Sequence, residues 1–375
     1  MTKILLMAAH FHPYKGGLEN FALDLGTRLA KRGSQVDVFT FNLGNDKEHE
    51  HYNSIDIYRF PCRSILGKTW TLPKMNHEFK SMMNSLLKND YDAVITNTRF
   101  FTTSYLGMKI AKKLKQRNHK TRFIHIEHGN VHVIHINPFV TLSAWLWDET
   151  YGRCIFRSAD TVIGISGPCA SFAKKLGAKK TIVIHNSIDP DFFNGKRKQH
   201  KGIHRIITVG RLIYAKGFQD LIMAIKGLPE IELVFIGDGP YRKNLESIAK
   251  EAGVRAIFTG TLKREEIRKE LLNADLFVNP SYSEGLPTSI LEAGAAGTPV
   301  IATDVGGTSE ILSSSDLGVL MRPKDVPYLR NKIVTLLAQP KLRDKLSENL
   351  KKKISKDFNW DTNIKKFESV IKGSQ

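Results

Sequence analysis

The chain has 375 residues, 41% of them hydrophobic and 25% charged, a composition typical of a soluble globular protein. This length exceeds one ordinary hydrophobic core and predicts two domains, while a net charge of +19 predicts a negatively charged partner or surface. The apolar runs 4–9 and 138–147 are too short for an export signal or a membrane span, so we expect a cytoplasmic protein.

Strand-like and helix-like segments alternate along the first half of the chain, which is typical of a parallel sheet covered by helices. Gly16-Gly17 opens the first predicted helix and Gly33 ends it. The predicted strands are 3–9, 35–41, 55–60, 92–97, 122–127, 161–166 and 181–185. The other predicted helices lie near 74–88, along a basic run at 109–122, near 138–157 and from 168.

A second alternating series follows a polar, basic and glycine-bearing segment, 189–202, whose composition is typical of a linker. Its predicted strands are 205–211, 232–236, 256–260, 276–280 and 299–303. The sequence therefore predicts an α/β fold of two Rossmann-like, doubly wound parallel-sheet domains, 1–188 and 203–357. A ligand would bind in a central cleft between them, at the carboxyl ends of both sheets.

The segment Pro280-Ser-Tyr-Ser-Glu-Gly-Leu-Pro-Thr-Ser-Ile-Leu-Glu-Ala293 is the most informative in the chain. It follows an apolar strand and opens a helix with Pro287 in its first turn, where free N–H groups form an anion site. Glu284 and Glu292 flank that turn, seven residues lying between them. A helix N-terminus favours charged carboxylates, which suit hydroxyl binding better than the proton donation that glycosidases need. We therefore expect a nucleotide sugar, with Glu284 toward the sugar and Glu292 toward the ribose.

Two cations follow the first strand of the second series. Arg211 lies just past the strand and Lys216 at the next helix start, so both would face a diphosphate leaving group and stabilise its charge. Gly237 begins a sharp turn that would shape the floor of the site. The segment ending at Leu262 could offer backbone groups to a base edge.

The first loop and a histidine cluster are weaker signals. Gly16-Gly17 would let backbone approach a phosphate, or form a plain tight turn, and the loop lacks a dinucleotide fingerprint. The spacing of His125, His128, His132 and His135 does not establish a metal site, so no metal and no cofactor is expected. His128 follows a strand end and is either a catalytic contact or a structural hydrogen-bond partner.

Together these elements resemble the family-4 retaining glycosyltransferases of GT-B fold. The most specific part is Glu284-x7-Glu292 followed by Gly297-Thr-Pro-Val-Ile-Ala302 and Gly306-Gly307. Gly210-Arg211-Leu212, Lys216-Gly217 and the turn at 237–240 fall in the same order as in that family.

The resemblance implies a retaining transferase that needs no metal, with donor in the second domain and acceptor in the first. Arg211 and Lys216 would bind the diphosphate, Glu284 the sugar hydroxyls and Glu292 the ribose. Gly285 and Leu286 would offer amides, with Thr288 beside them, and Gly17 would approach from the first domain. His128 would lie near the transferred sugar, completing a catalytic set of His128, Arg211, Lys216 and Glu284. A C-terminal helix, 358–375, would return to the first domain through Trp360 and Phe367.

The expected substrates are a UDP- or GDP-linked hexose and a glycan or lipid-linked acceptor at the inner membrane face. The basic face of helix 109–122 is either solvated or bound peripherally to anionic lipid. Nucleic acid is not expected, because no zinc-finger or RNA-recognition signature is present. The alternatives are a sugar-nucleotide epimerase or hydrolase, a non-catalytic nucleotide-sugar binding module and, third, an NAD-dependent oxidoreductase.

Overall fold

The structure is a computed structural model that describes residues 1–14, 16–44, 46–65, 70–132, 137–198 and 202–374. The chain divides into two compact units. The first contains residues 1–133, 139–184 and 363–375, and the second contains residues 134–138 and 185–362. Each unit is built on its own largely or wholly parallel sheet, as the α/β prediction requires.

Among the described residues, the sheet of the first unit has nine strands in the order β3-β4-β2-β1-β6-β7-β8-β9, with β5 paired to β4. They are β1 Lys3–Met7, β2 Gln35–Asn42, β3 His49–Tyr52, β4 Ile55–Ile65, β5 Trp70–Pro73, β6 Ala93–Asn97, β7 Arg122–Glu127, β8 Thr161–Gly164 and β9 Thr181–Val183. The chain order reverses between the parallel neighbours β1 and β6, where ligands bind in doubly wound sheets. The sequence analysis did not predict β3 and β5, two four-residue strands that run antiparallel to β4.

The helices described beside this sheet are α1 Gly17–Lys31, α2 His77–Leu87, α3 Thr102–Arg117, α4 Pro138–Trp147, α5 Arg153–Ser158 and α6 Gly167–Lys175. A π-helical segment, Asp148–Gly152, joins α4 to α5, so the single predicted helix over 138–157 contains a wider turn. Its Asp148 is buried, and π-helical turns of this kind are frequent at functional sites.

In the part of the second unit that the structure describes, six parallel strands lie in the order β12-β11-β10-β13-β14-β15. They are β10 His204–Val209, β11 Ile231–Ile236, β12 Ala256–Gly260, β13 Leu276–Asn279, β14 Val300–Thr303 and β15 Val319–Met321. The order reverses between β10 and β13. Its helices are α7 Pro190–Phe193, α8 Phe218–Ile225, α9 Arg242–Glu251, α10 Arg264–Leu272, α11 Thr288–Ala295, α12 Thr308–Ile311, α13 Val326–Ala338, α14 Pro340–Asp357 and the start of α15 Trp360–Lys372. The three-residue strand β15 was not predicted.

The described part of the segment predicted as a linker, 189–198, instead packs on the second unit. Phe193 is fully buried, and the Arg264 guanidinium lies 4.8 Å from the ring centre of Phe192. The Lys198 amide donates to Leu272 O at 3.0 Å. The second unit therefore begins at His185 rather than after residue 202, because an aromatic pair anchors a stretch whose overall composition is polar.

The C-terminal helix α15 divides between the units at residue 363, not 358. The Trp360 amide donates to Ile188 O at 3.3 Å within the second unit. Phe367 packs on Phe21 of the first unit, with 6.1 Å between ring centres. Both predicted anchor residues are buried.

Helices α11 and α14 make a close contact behind the second sheet. A Cβ atom added at Gly294 of α11 would lie 2.3 Å from Ile354 Cδ1 and 2.7 Å from Leu350 Cγ of α14. The glycine is therefore required for these helices to approach. In the described part of the chain, no helix is long and apolar enough to cross a membrane.

Candidate functional site

The loops after β10 and β13 meet at the point where the second sheet reverses its order. Because the two strands are parallel neighbours, their carboxyl ends lie at the same edge. The first loop carries Arg211 and Lys216, and the second carries Glu284. Lys216 Nζ lies 2.7 Å from Glu284 Oε1, so the structure brings these two predicted site residues together.

The Glu284 carboxylate is held in one orientation. Its Oε1 atom accepts hydrogen bonds from Lys216 Nζ at 2.7 Å, Ser281 Oγ at 2.6 Å and Asn279 Nδ2 at 3.3 Å. Only 10% of the Glu284 side chain is exposed. A carboxylate fixed in this way can accept from a ligand hydroxyl without first reorganising.

Arg211 differs from Lys216 because its side chain is exposed. Among the described residues, its guanidinium has no carboxylate within ion-pair distance, which leaves its donors available to an anion. The preceding Gly210 has a φ of +159°, and Gly237 after β11 has a φ of +132°. A Cβ atom at Gly237 would lie 2.0 Å from Gly210 O, so these two turns pack backbone to backbone. Asp238 is exposed and accepts from the Gly239 amide at 2.7 Å, a turn-forming contact.

The loop 284–287 is clamped by the turn after β14. Gly306 has a φ of +57°, and a Cβ atom there would lie 1.7 Å from Glu284 O. The Gly307 amide donates to Gly285 O at 2.8 Å. Pro287 is the residue that precedes α11 rather than part of its first turn, because its ψ of 105° is extended. The free amides at this end therefore begin at Thr288, the first helical residue.

The remaining predicted donor residues lie around the same edge. Leu286 is buried, and its carbonyl oxygen accepts from Asn186 Nδ2 at 3.3 Å. Glu292 lies within α11 and is half-buried, one turn beyond Thr288. Leu262 follows β12 and is also half-buried.

Tyr282 is a structural element of this site that the sequence analysis missed. Its hydroxyl donates to Asp220 Oδ2 at 2.9 Å and accepts from Gln219 Nε2 at 2.7 Å. Its amide donates to Ala215 O at 2.8 Å, in the turn that carries Lys216. Burial raises the pKa of the Asp220 carboxyl, although the bond from Tyr282 opposes this. Tyr282 thus ties the Lys216 turn to the Glu284 loop.

In the first unit, His128 follows β7 beside the reversal between β1 and β6. Its Nε2 atom lies 3.4 Å from Asn97 Oδ1, and its ring is 4.8 Å from that of Phe21. Burial lowers the pKa of His128 to about 4, with the nearby Glu127 carboxylate opposing the shift. His128 is therefore neutral near pH 7 and has both a ring N–H donor and a ring nitrogen acceptor.

Gly16 and Gly17 differ in what surrounds them. Gly16 precedes α1, and a Cβ atom there would lie 2.2 Å from the Glu19 Oε2 atom. At Gly17, the first residue of α1, nothing lies within 4 Å of an added Cβ atom. The space beside Gly17 is open, as an approaching ligand would require.

A buried charge network around Arg99 contains some of the clustered histidines. Arg99 Nη1 donates to Glu127 Oε1 at 2.7 Å, while Arg99 Nε and Nη2 donate to the two oxygens of Asp148 at 2.9 Å each. Glu127 also accepts from the Gly129 amide at 2.7 Å, which fixes the backbone on both sides of His128. Burial alone would raise the pKa of Glu127, but Arg99 and His125 outweigh it and lower the pKa to about 2.

Two of the histidines belong to this network. His125 lies between Thr96 Oγ1 at 2.7 Å and Glu127 Oε2 at 3.2 Å, and His132 Nδ1 lies 2.9 Å from Asp148 Oδ2. His135 lies outside the described residues. Within the described ranges, no three His, Cys, Asp or Glu side chains are grouped as a metal ion would require.

The predicted residues thus form two groups. Gly16, Gly17 and His128 belong to the first unit, and all the others belong to the second. In the second unit they line the carboxyl ends of β10 to β14, the edge at which the sequence analysis placed them.

Two family models match this chain, one along its first half and one along its second. Residues 15–192 match the family model "Glycosyltransferase Family 4", and residues 191–353 match "Glycosyl transferases group 1". The putative teichuronic acid biosynthesis glycosyltransferase TuaC of Bacillus subtilis is 32% identical, over 87% of this chain and 84% of TuaC.

Solved structures share the fold, and two of them serve as examples. Sucrose-phosphate synthase of Thermosynechococcus elongatus superposes with a TM-score of 0.83 at 22% identity, covering 100% of this chain and 99% of that one. Anabaena HepE in complex with UDP-glucose has a TM-score of 0.79 at 20% identity, covering 100% of both chains. These likenesses identify the architecture as GT-B.

Proposed function

Because the chain belongs to the family-4 glycosyltransferases of GT-B fold, we propose that it transfers a hexose from a nucleotide diphosphate sugar, with retention of anomeric configuration. The acceptor is a glycan or lipid-linked saccharide, used in cell-envelope polysaccharide or glycolipid synthesis on the cytoplasmic side of the membrane. TuaC, whose name refers to teichuronic acid biosynthesis, supports this acceptor class.

The observation that carries the proposal is the Lys216–Glu284 pair at the reversal between β10 and β13. Lys216 and the exposed Arg211 supply positive charge where a diphosphate would bind. As the bond between sugar and diphosphate breaks, charge grows on the leaving oxygen, and fixed cations stabilise it. Glu284 lies beside them with a fixed carboxylate that can accept from sugar hydroxyls.

His128 would act as a neutral polar contact to the transferred sugar. Its lowered pKa keeps a ring N–H and an acceptor nitrogen available without positive charge, which suits a hydroxyl partner. The amides of Gly285, Leu286 and Thr288 would bind phosphate oxygens. HepE, which has been crystallised with UDP-glucose, supports a uridine diphosphate donor.

The proposal is tested by screening UDP-glucose, UDP-galactose, UDP-N-acetylglucosamine and GDP-mannose for thermal stabilisation. A ligand that binds the folded state alone raises the melting temperature. We expect one nucleotide sugar to do so, and Lys216→Ala to abolish the effect while the exposed Lys243→Ala, in the same unit, preserves it. Rapid turnover of that donor without an acceptor would indicate an epimerase or hydrolase. Binding with no turnover under any acceptor would indicate a binding module.

A further inference from the structure

Helix α4 presents apolar side chains to solvent. Phe139, Leu142, Trp145 and Leu146 are 79%, 54%, 43% and 50% exposed, and α4 contains no charged residue. Phe139, Leu142 and Leu146 follow the spacing of one helical face. These four residues form the α4 apolar face. A contiguous exposed apolar surface of this kind marks an interaction site.

A row of cations lies next to this face. On α3, Tyr105, Lys109 and Lys112 follow one another at helical spacing, and both lysines are exposed. Lys109 Nζ lies 4.7 Å above the Tyr105 ring, whose centre is 4.9 Å from that of Tyr151. Tyr151 in turn contacts Trp147, the last residue of α4, at 4.5 Å. The basic side of α3 is therefore continuous, through these rings, with α4.

The two lysines are available to a partner. Farther along α3, Lys115 pairs with Asp160 and Arg117 with Asp90. Lys109 and Lys112, in contrast, have no carboxylate within ion-pair distance among the described residues.

We infer that the α4 apolar face and the Lys109–Lys112 row bind together to the surface of an anionic lipid bilayer. Leucine and aromatic side chains enter the boundary between headgroups and acyl chains, and adjacent lysines are attracted to anionic headgroups. A second copy of the chain fits less well, because each copy carries a net charge of +19 and would repel another. The inference rests on the proposed function, in which the acceptor is used at the membrane, and adds the surface that would bind the bilayer.

Vesicle flotation tests it with the full chain and no donor. Wild-type protein should float with vesicles containing phosphatidylglycerol and far less with pure phosphatidylcholine. Phe139→Ser/Leu146→Ser should weaken binding about ten-fold or more, since buried apolar area and lipid charge act together. The control Met223→Ser/Val334→Ser removes two residues of 44% and 45% exposure elsewhere and should bind as wild type does.

The charge contribution has its own control. Lys109→Glu/Lys112→Glu should weaken binding to anionic vesicles about ten-fold or more, whereas Lys243→Glu/Lys250→Glu, with the same change in net charge, should have a small effect. Equal flotation with neutral and anionic vesicles would overturn the inference, and so would variants that match their controls. If the wild-type protein self-associates but does not bind vesicles, and Phe139→Ser/Leu146→Ser abolishes that association, the partner of the α4 apolar face is a second copy of the chain. Thermal stabilisation by a nucleotide sugar is measured separately and without vesicles. Failure of the proposed function can therefore be distinguished from failure of membrane binding.

Discussion

Lys216 donates a hydrogen bond to Glu284 across 2.7 Å, joining two loops that are 68 residues apart in the sequence. The pair links the cation expected at the diphosphate to the carboxylate expected at the sugar. The two residues expected to bind one donor molecule therefore hold each other in position. Substitution of either residue should disturb the other.

Lys216→Ala should lower kcat by about 100-fold, the usual effect of removing one preorganised charge from a transition state. Steady-state kinetics with the donor found by screening would measure it. The double variant Lys216→Ala/Glu284→Ala should lose less than the product of the single losses, because the residues contact each other. Strictly multiplicative losses would mean that the two residues act independently.

Gly306→Ala should reduce donor affinity by displacing the Glu284 loop. The new methyl group would overlap Glu284 O, and the φ of +57° is also unfavourable for alanine. Gly253→Ala is a matched control, because its φ is +66° and nothing lies within 4 Å of the added atom. The control should lose about 1 kcal/mol of unfolding free energy and keep its donor affinity. Equal donor binding by both variants, measured by calorimetry, would contradict the clamping role.

Arg99→Met should destabilise the first unit by about 3–5 kcal/mol, because it leaves two buried carboxylates without their cation. Glu127 and Asp148 are both fully buried. Arg32→Met removes a partly exposed ion pair with Glu368 and should cost at most about 1 kcal/mol. Urea unfolding would compare the two variants. Similar midpoints would show that the network contributes little to stability.

The stability of the protein should fall as pH decreases from about 6.5 to about 4, the interval over which His128 is protonated in the unfolded chain only. The pKa difference corresponds to at most about 3.4 kcal/mol. His128→Gln should flatten this part of the stability curve, whereas His119→Gln, at an exposed position, should not. The Glu127 carboxylate, with its pKa lowered to about 2, adds its own loss only below about pH 4.5. An unchanged slope in His128→Gln would indicate that this ring titrates normally.

Local patterns predicted most of the fold. The buried strands and the 280–293 segment carry their signals within a few residues, so their type and order could be predicted. The roles of Arg99 and Tyr282 could not, because their partners lie 28, 49 and 62 residues away. Burial of the His125–Glu127 pair is likewise a tertiary property, which could not be predicted from the spacing of the histidines.

The contact at Gly294 also limits how the enzyme can change. A methyl group there would push α11 away from α14, and the helix would carry with it Glu292 and the end that we propose binds phosphate. Leu350 and Ile354 lie on α14, outside the proposed donor site, but they thereby constrain the position of α11 within that site. Laboratory evolution of sugar preference should therefore find useful variants at the contact between α11 and α14 as well as among the residues proposed to bind the donor.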